Sequence, residues 1–113
     1  MAKKEAKREE ATTQTENIVL IGRKPVMNYV TACITFFNRG EKQVVVKARG
    51  RAISKAVDTV ELLRRAFVKD LEIQQIGIGT EELVSAEGGQ KSNISAIEIT
   101  VTKAETKQQK AEE

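Results

Sequence analysis

Histidine and tryptophan are absent from this 113-residue chain, and cysteine and proline occur once each. Without histidine the commonest general base and metal ligand is missing. The lone Cys33 excludes an intramolecular disulfide framework and cannot build a zinc site; it fits a reducing interior. It falls on an apolar stripe beside Tyr29 and Phe37, where an inert, buried thiol is expected rather than a nucleophile. No group of carboxylates resembles a hard-metal cage, and pairs such as Asp58 with Glu61 fall on a solvated helix face. Gly22-Arg23-Lys24-Pro25 lacks the second glycine and the Lys-Ser/Thr pair of a P-loop, so nucleotide hydrolysis is unsupported. An enzyme is the weaker hypothesis, and no cofactor or metal is expected.

Other scarcities bound the class further. No apolar run approaches the ~20 residues of a transmembrane helix. The opening MAKKEAKREE alternates charges and does not read as a signal peptide. The aromatics are few, Tyr29, Phe36, Phe37 and Phe67, and none alternates with basic residues along a strand. Base stacking on an exposed sheet therefore finds little support. Tyr29 and Phe37 read as core. Phe67 lies off its helix's main stripe, either capping the edge of the core or touching another chain.

What is present is positive charge in one place. The overall charge of +3 conceals a zero balance over residues 1–22, +7 over residues 23–55 and −4 over residues 56–113. In the middle segment Arg23, Lys24, Arg39, Lys42, Lys47, Arg49, Arg51 and Lys55 face only Glu41. Such concentration suits a polyanionic partner better than general solubility.

The pattern along the chain yields one domain of alternating elements. Residues 1–16 are polar and aperiodic and are expected to form a disordered charged arm. Asn17-Ile18-Val19-Leu20-Ile21 reads as a short buried strand. Val26, Tyr29, Val30, Cys33, Ile34 and Phe37 recur at helical spacing, predicting a helix over 25–38 with Pro25 at its first position and a stop at Asn38-Arg39-Gly40. A second strand is expected over 44–47 and a second helix over 52–67, its stripe carrying Ile53, Ala56, Val57, Val60 and Leu63. Glu61 is spaced to pair with Arg65. Then Leu71, Ile73, Ile76 and Ile78, and later Ile94, Ile97, Ile99 and Val101, mark a long β-hairpin with a Gly88-Gly89 tip. Phase slips between Ile73 and Ile76, and between Ile94 and Ile97, each predict a bulge. Residues 79–93 carry too few apolar side chains to lie on a core and are expected to project as an arm. The domain thus covers 17–103, with a disordered tail over 104–113. Its order, β-α-β-α-β-β, makes an α+β two-layer sandwich with a long projecting C-terminal hairpin.

Two helix starts carry paired cations. Arg23 and Lys24 precede the first helix, and Lys47-Ala48-Arg49-Gly50-Arg51-Ala52-Ile53-Ser54-Lys55 leads into the second. A helix N-terminus has partial positive charge and unpaired N–H groups, so cations there are unfavourable unless an anion joins them. Both read as phosphate-binding loops. A solvated basic loop is the bland alternative for either one alone. Arg64 and Arg65 sit in a last turn, where the dipole accommodates cations without a ligand.

Asn17-Ile-Val-Leu-Ile-Gly-Arg-Lys-Pro-Val-Met-Asn-Tyr29, Lys47-Ala-Arg-Gly-Arg-Ala-Ile-Ser-Lys-Ala-Val-Asp58 and Ile97-Glu-Ile99 closely resemble the Alba family of archaeal chromatin proteins. The resemblance spans about residues 17–103. It implies a fold similar to the C-terminal domain of bacterial translation initiation factor three. It implies a small basic homodimer, cytoplasmic and associated with the nucleoid, that coats and compacts double-stranded DNA without sequence preference and also binds RNA. Carried over by position, the phosphate contacts fall on Arg23, Lys24, Arg49 and Arg51, with Lys47 and Lys55 adding to the field. A hydrophobic contact between neighbouring dimers falls on Phe67. The family's acetylated lysine falls on Arg23, which cannot be acetylated in that way; Lys24 beside it is left to modifying enzymes. Family arms often carry arginines near the tip and reach along the minor groove. Here Gln90 and Asn93 take those places, with Lys91 between them and Glu87 opposite, so a smaller share of the affinity is expected from the arm. The alternatives are a protein directed mainly to structured RNA or ribonucleoprotein, and a scaffold whose basic face binds an acidic protein.

Overall fold

The computed structural model describes residues 17–104. The arm expected over 1–16 lies outside them, as does all of the expected tail but Ala104. Among the described residues the elements are β1 (Ile18–Leu20), α1 (Val26–Asn38), β2 (Gln43–Arg49), α2 (Ile53–Leu62), β3 (Leu71–Val84) and β4 (Lys91–Lys103). A single 3-10 turn, Gly50–Ala52, leads into α2, and a wide helical turn, Leu63–Phe67, leads out of it. The sheet order is β1-β2-β4-β3. β1 and β2 are parallel, joined by α1 as a crossover; the other pairings are antiparallel.

Alternation along the strands decides which face is covered. Val19, Val44, Val46, Ala48, Ile99 and Val101 are buried against Tyr29, Val30, Cys33 and Phe37 of α1 and Ala56, Val60 and Leu63 beyond the start of α2. Completely buried side chains such as Val30, Val46 and Leu63 each contribute about 1.5–3 kcal/mol of transfer free energy. The opposite face of the sheet has no helix. There Leu20 is 67 % exposed, so β1 is buried on one face rather than throughout. Val57, expected on the stripe of α2, is also largely exposed, because that helix meets the sheet only through Ala56, Thr59 and Val60.

Element boundaries shift in ways that matter below. Pro25 caps α1 from outside in an extended conformation (ψ 152°) instead of opening its first turn. β2 runs two residues further than the apolar pattern implies, because Ala48 and Arg49 continue the ladder opposite Ile97 and Ala96. Glu61 pairs with Arg64 at 2.8 Å, not with Arg65; neighbours three and four apart are both in reach on a helix.

Beyond Ala96, the partner of Arg49, β3 and β4 have only each other, and they continue together to Val84 and Lys91. The arm gives the molecule its 61 Å long axis against 31 and 23 Å across. The bulge predicted between Ile73 and Ile76 is present, at Ile73/Gln75. The one predicted between Ile94 and Ile97 is not, since the register runs unbroken there. Ile94 does not belong to the core row; it lies over Gly50, and a Cβ at Gly50 would stand 2.8 Å from its Cδ1.

Candidate nucleic-acid interface

Parallel pairing places the C-terminal ends of β1 and β2 at one edge of the sheet, and each end leads into a helix. The two cationic segments therefore share that edge. Arg23 and Lys24 occupy the turn between β1 and α1, with their side chains exposed. Arg49 is the last residue of β2, and Arg51 sits in the 3-10 turn before α2. Arg49 thus stands on a strand and not at the helix start that the sequence pattern suggested. Arg39 and Lys42, counted in the same charge excess, lie at the opposite end of α1, where the Arg39 guanidinium rests 5.4 Å from the centre of the Phe36 ring.

The Arg23–Lys24 turn is braced from two sides. The Tyr29 hydroxyl oxygen accepts hydrogen bonds from the backbone N–H of Gly22 (2.9 Å) and of Lys24 (3.0 Å). The Lys55 ammonium, from the first turn of α2, donates to the Lys24 carbonyl at 2.7 Å and reaches the Gly22 carbonyl at 3.5 Å. Sequence reasoning placed Tyr29 in the core and missed this role of its hydroxyl. The one available signal was a tyrosine rather than a phenylalanine in the first turn of an otherwise apolar stripe.

Gly50 joins the second segment to the arm. Its φ of +55° is left-handed, a region that side chains avoid, and Ile94 of the arm closes over it. Arg49 is held from the arm as well, by Glu81 at 3.2 Å with both side chains about half exposed. Thirty-two residues separate this pair in sequence, and nothing in the local pattern announces it. Lys47 lies on the open face of the sheet, where it lines a groove of about 630 Å³ with Leu20, Arg49, Gly77, Glu81 and Glu98. Lys91 is set apart from the rest. It begins β4 near the tip, beside Glu82 at 3.9 Å. Five residues of strand separate it from Ala96, a distance of about 17 Å.

Other features follow the sequence reading. Cys33 is completely buried, and desolvation pushes its thiol up to about 12. Among the described residues there is no cluster of three or more potential metal ligands, and no helix is long and apolar enough to cross a membrane. Phe67 is 47 % exposed at the end of the wide turn, bordering a cleft with Ile34, Phe37 and Val68.

The sequence model of the Alba family matches residues 17–80, which contain both cationic segments. The chain belongs to the Alba family. A relative from Methanocella arvoryzae, named DNA/RNA-binding protein Alba, is 58 % identical over 84 residues, covering 74 % of this chain and 86 % of the relative. Among solved structures, Alba from Thermoplasma volcanium is 45 % identical with a TM-score of 0.71, covering 76 % of this chain and 99 % of its own. ALBA1 from Trypanosoma brucei is 33 % identical with a TM-score of 0.62, covering 86 % and 82 % respectively. The two-layer α+β fold read from the Alba-like pattern agrees with these structures.

Proposed function

We propose that this protein is a non-enzymatic, sequence-nonspecific binder of double-stranded DNA, and of RNA, acting as a homodimer that coats and compacts DNA in the cytoplasmic nucleoid. The observation that carries the reading is the gathering of Arg23, Lys24, Arg49 and Arg51 at one edge of the sheet, with the first pair on a turn braced through its backbone. Side chains so presented meet phosphates rather than base edges, and phosphate contact carries no sequence information. Lys47 and Lys55 add to the field of this floor, and Lys91 adds a single charge on the arm. The name of the Methanocella relative, which couples DNA and RNA, supports both ligands. Lys24, with its side chain exposed, suits a modifying enzyme.

A homodimer is favoured by the outer edge of the sheet. β3 is an edge strand, and its Ile73, Ile76 and Ile78 are 37 %, 57 % and 83 % exposed. A long apolar edge invites pairing with another chain. A twofold dimer would double the cationic floor and present two arms to the adjoining groove. Phe67 would then serve contacts between neighbouring dimers along the duplex.

Titration of mixed-sequence duplex DNA at several salt concentrations tests this. With about six to eight phosphates engaged per dimer, log K is expected to fall with log salt at a slope of about −5 to −7. A slope near zero would sink the mechanism. The Arg49→Ala/Arg51→Ala variant is expected to weaken binding alike on all duplex sequences; loss confined to some would mean base readout. Competition between duplex DNA and structured RNA at fixed salt decides the second reading, a protein directed mainly to RNA.

A further inference from the structure

The bonding around Gly22-Arg23-Lys24 has more order than a solvated basic turn requires. On the residues flanking Arg23, both amides go to the single Tyr29 hydroxyl oxygen and both carbonyls face the single Lys55 ammonium. With N–H groups held on one side and C=O groups on the other, the peptide planes that flank Arg23 are fixed. The Cα–Cβ directions of Arg23 and Lys24 are fixed with them. An ammonium bound to a carbonyl at 2.7 Å makes a charge-assisted hydrogen bond. It cannot reach out to a phosphate without leaving that bond. Lys55 also rides on the first turn of α2, directly after the turn that carries Arg51. Its side chain is therefore a strut between the two cationic segments.

We propose that Lys55 is a positioning residue for nucleic-acid binding: it aims Arg23 and Lys24 through their backbone and sets their distance from Arg51, rather than touching phosphate itself. This rests on the reading of Arg23 and Lys24 as phosphate contacts, and the geometric part can be tested without a ligand. A field contribution alone would make Lys55 interchangeable with any neighbouring cation. A strut makes its effect depend on Arg23 and Lys24.

The test uses the full chain with Lys55→Met, in the natural background and in an Arg23→Ala/Lys24→Ala background, and Lys55→Arg in the natural one. In the unliganded protein, Lys55→Met is expected to speed amide hydrogen exchange at Gly22 and Lys24 by about tenfold, while core amides such as Val46 and Ile99 keep their protection. On duplex DNA at fixed salt, Lys55→Met is expected to weaken binding about tenfold in the natural background and less than about twofold where Arg23 and Lys24 are already gone. Lys55→Arg, which keeps a cation and its donors, is expected to hold affinity within about twofold. Equal loss in both backgrounds, with the salt slope reduced by about 0.9, would mean a direct phosphate contact and overturn the proposal. Unchanged exchange at Gly22 and Lys24 would also overturn it, as would equal losses in the Met and Arg variants. If the unsubstituted chain shows no salt-dependent binding, the proposed function fails, and the exchange measurement still decides whether Lys55 holds the turn.

Discussion

At the scale of single residues, small groups decide the geometry of large charged ones. Gly50 is required twice, by its left-handed backbone and by the Ile94 side chain that would meet a Cβ. Gly50→Ala is expected to cost about 1–2 kcal/mol from the backbone conformation alone, read as a lowered midpoint in urea unfolding. Cys33 gives a pH prediction with a definite sign. Its thiol is raised in the folded state from 9.0 to about 12, because burial disfavours the thiolate. The stability it confers is complete below about pH 9 and is lost as pH rises toward 12, because the unfolded chain alone releases the proton in that window. Cys33→Ala should flatten that part of the pH–stability curve, after allowance for the lower baseline of a smaller core side chain. A curve unchanged in slope would show that Cys33 is not the source.

At the scale of elements, the arm acts on the cationic floor as well as extending it. Glu81 stands beside Arg49 where a phosphate oxygen would stand, at 3.2 Å. Glu81→Gln is expected to tighten duplex binding by up to about fivefold, the range of an exposed ion pair worth ~0.2–1 kcal/mol. Weaker binding would instead assign Glu81 to holding Arg49 in place. The elements themselves were largely legible, because the 3.6-residue stripe of Val26 to Phe37 and the alternation of Ile97, Ile99 and Val101 are strong patterns. Both cationic segments were visible from charge and position. What escaped was what depends on long-range geometry. The apolar run of β1 cannot say that only one of its faces is covered. Ile94 looks like a phase slip until Gly50 is seen beneath it. The second hydrogen-bonding role of Tyr29, the ammonium of Lys55 on a carbonyl 31 residues away and the reach of Glu81 to Arg49 have no local signature.

At the scale of the whole molecule, the unpaired edge of β3 is the feature that calls for a second copy. Ile76→Glu/Ile78→Glu is expected to convert a dimer to a monomer in sedimentation equilibrium, since two charges would be desolvated in the paired state. Affinity for duplex DNA should fall with it, because half of the floor and one arm are lost. Phe67→Ala is expected to leave that dimer intact. A dimer that survives the glutamates would move the interface to another face of the protein.

The wide turn at the end of α2 bears on how tolerant the chain is of changes in length. Val68 N–H bonds to the Leu63 carbonyl five residues back, at 2.7 Å, so this turn holds one residue more than a regular α-turn closed by an i to i−4 bond. Removing one residue between Leu63 and Phe67 would let the helix run on regularly, and would turn everything after the deletion by about 100°. Phe67 would leave the surface it now occupies although no chemical group near it had changed. Its exposure is a matter of residue count, which makes this short segment far less forgiving of a deletion than of a substitution.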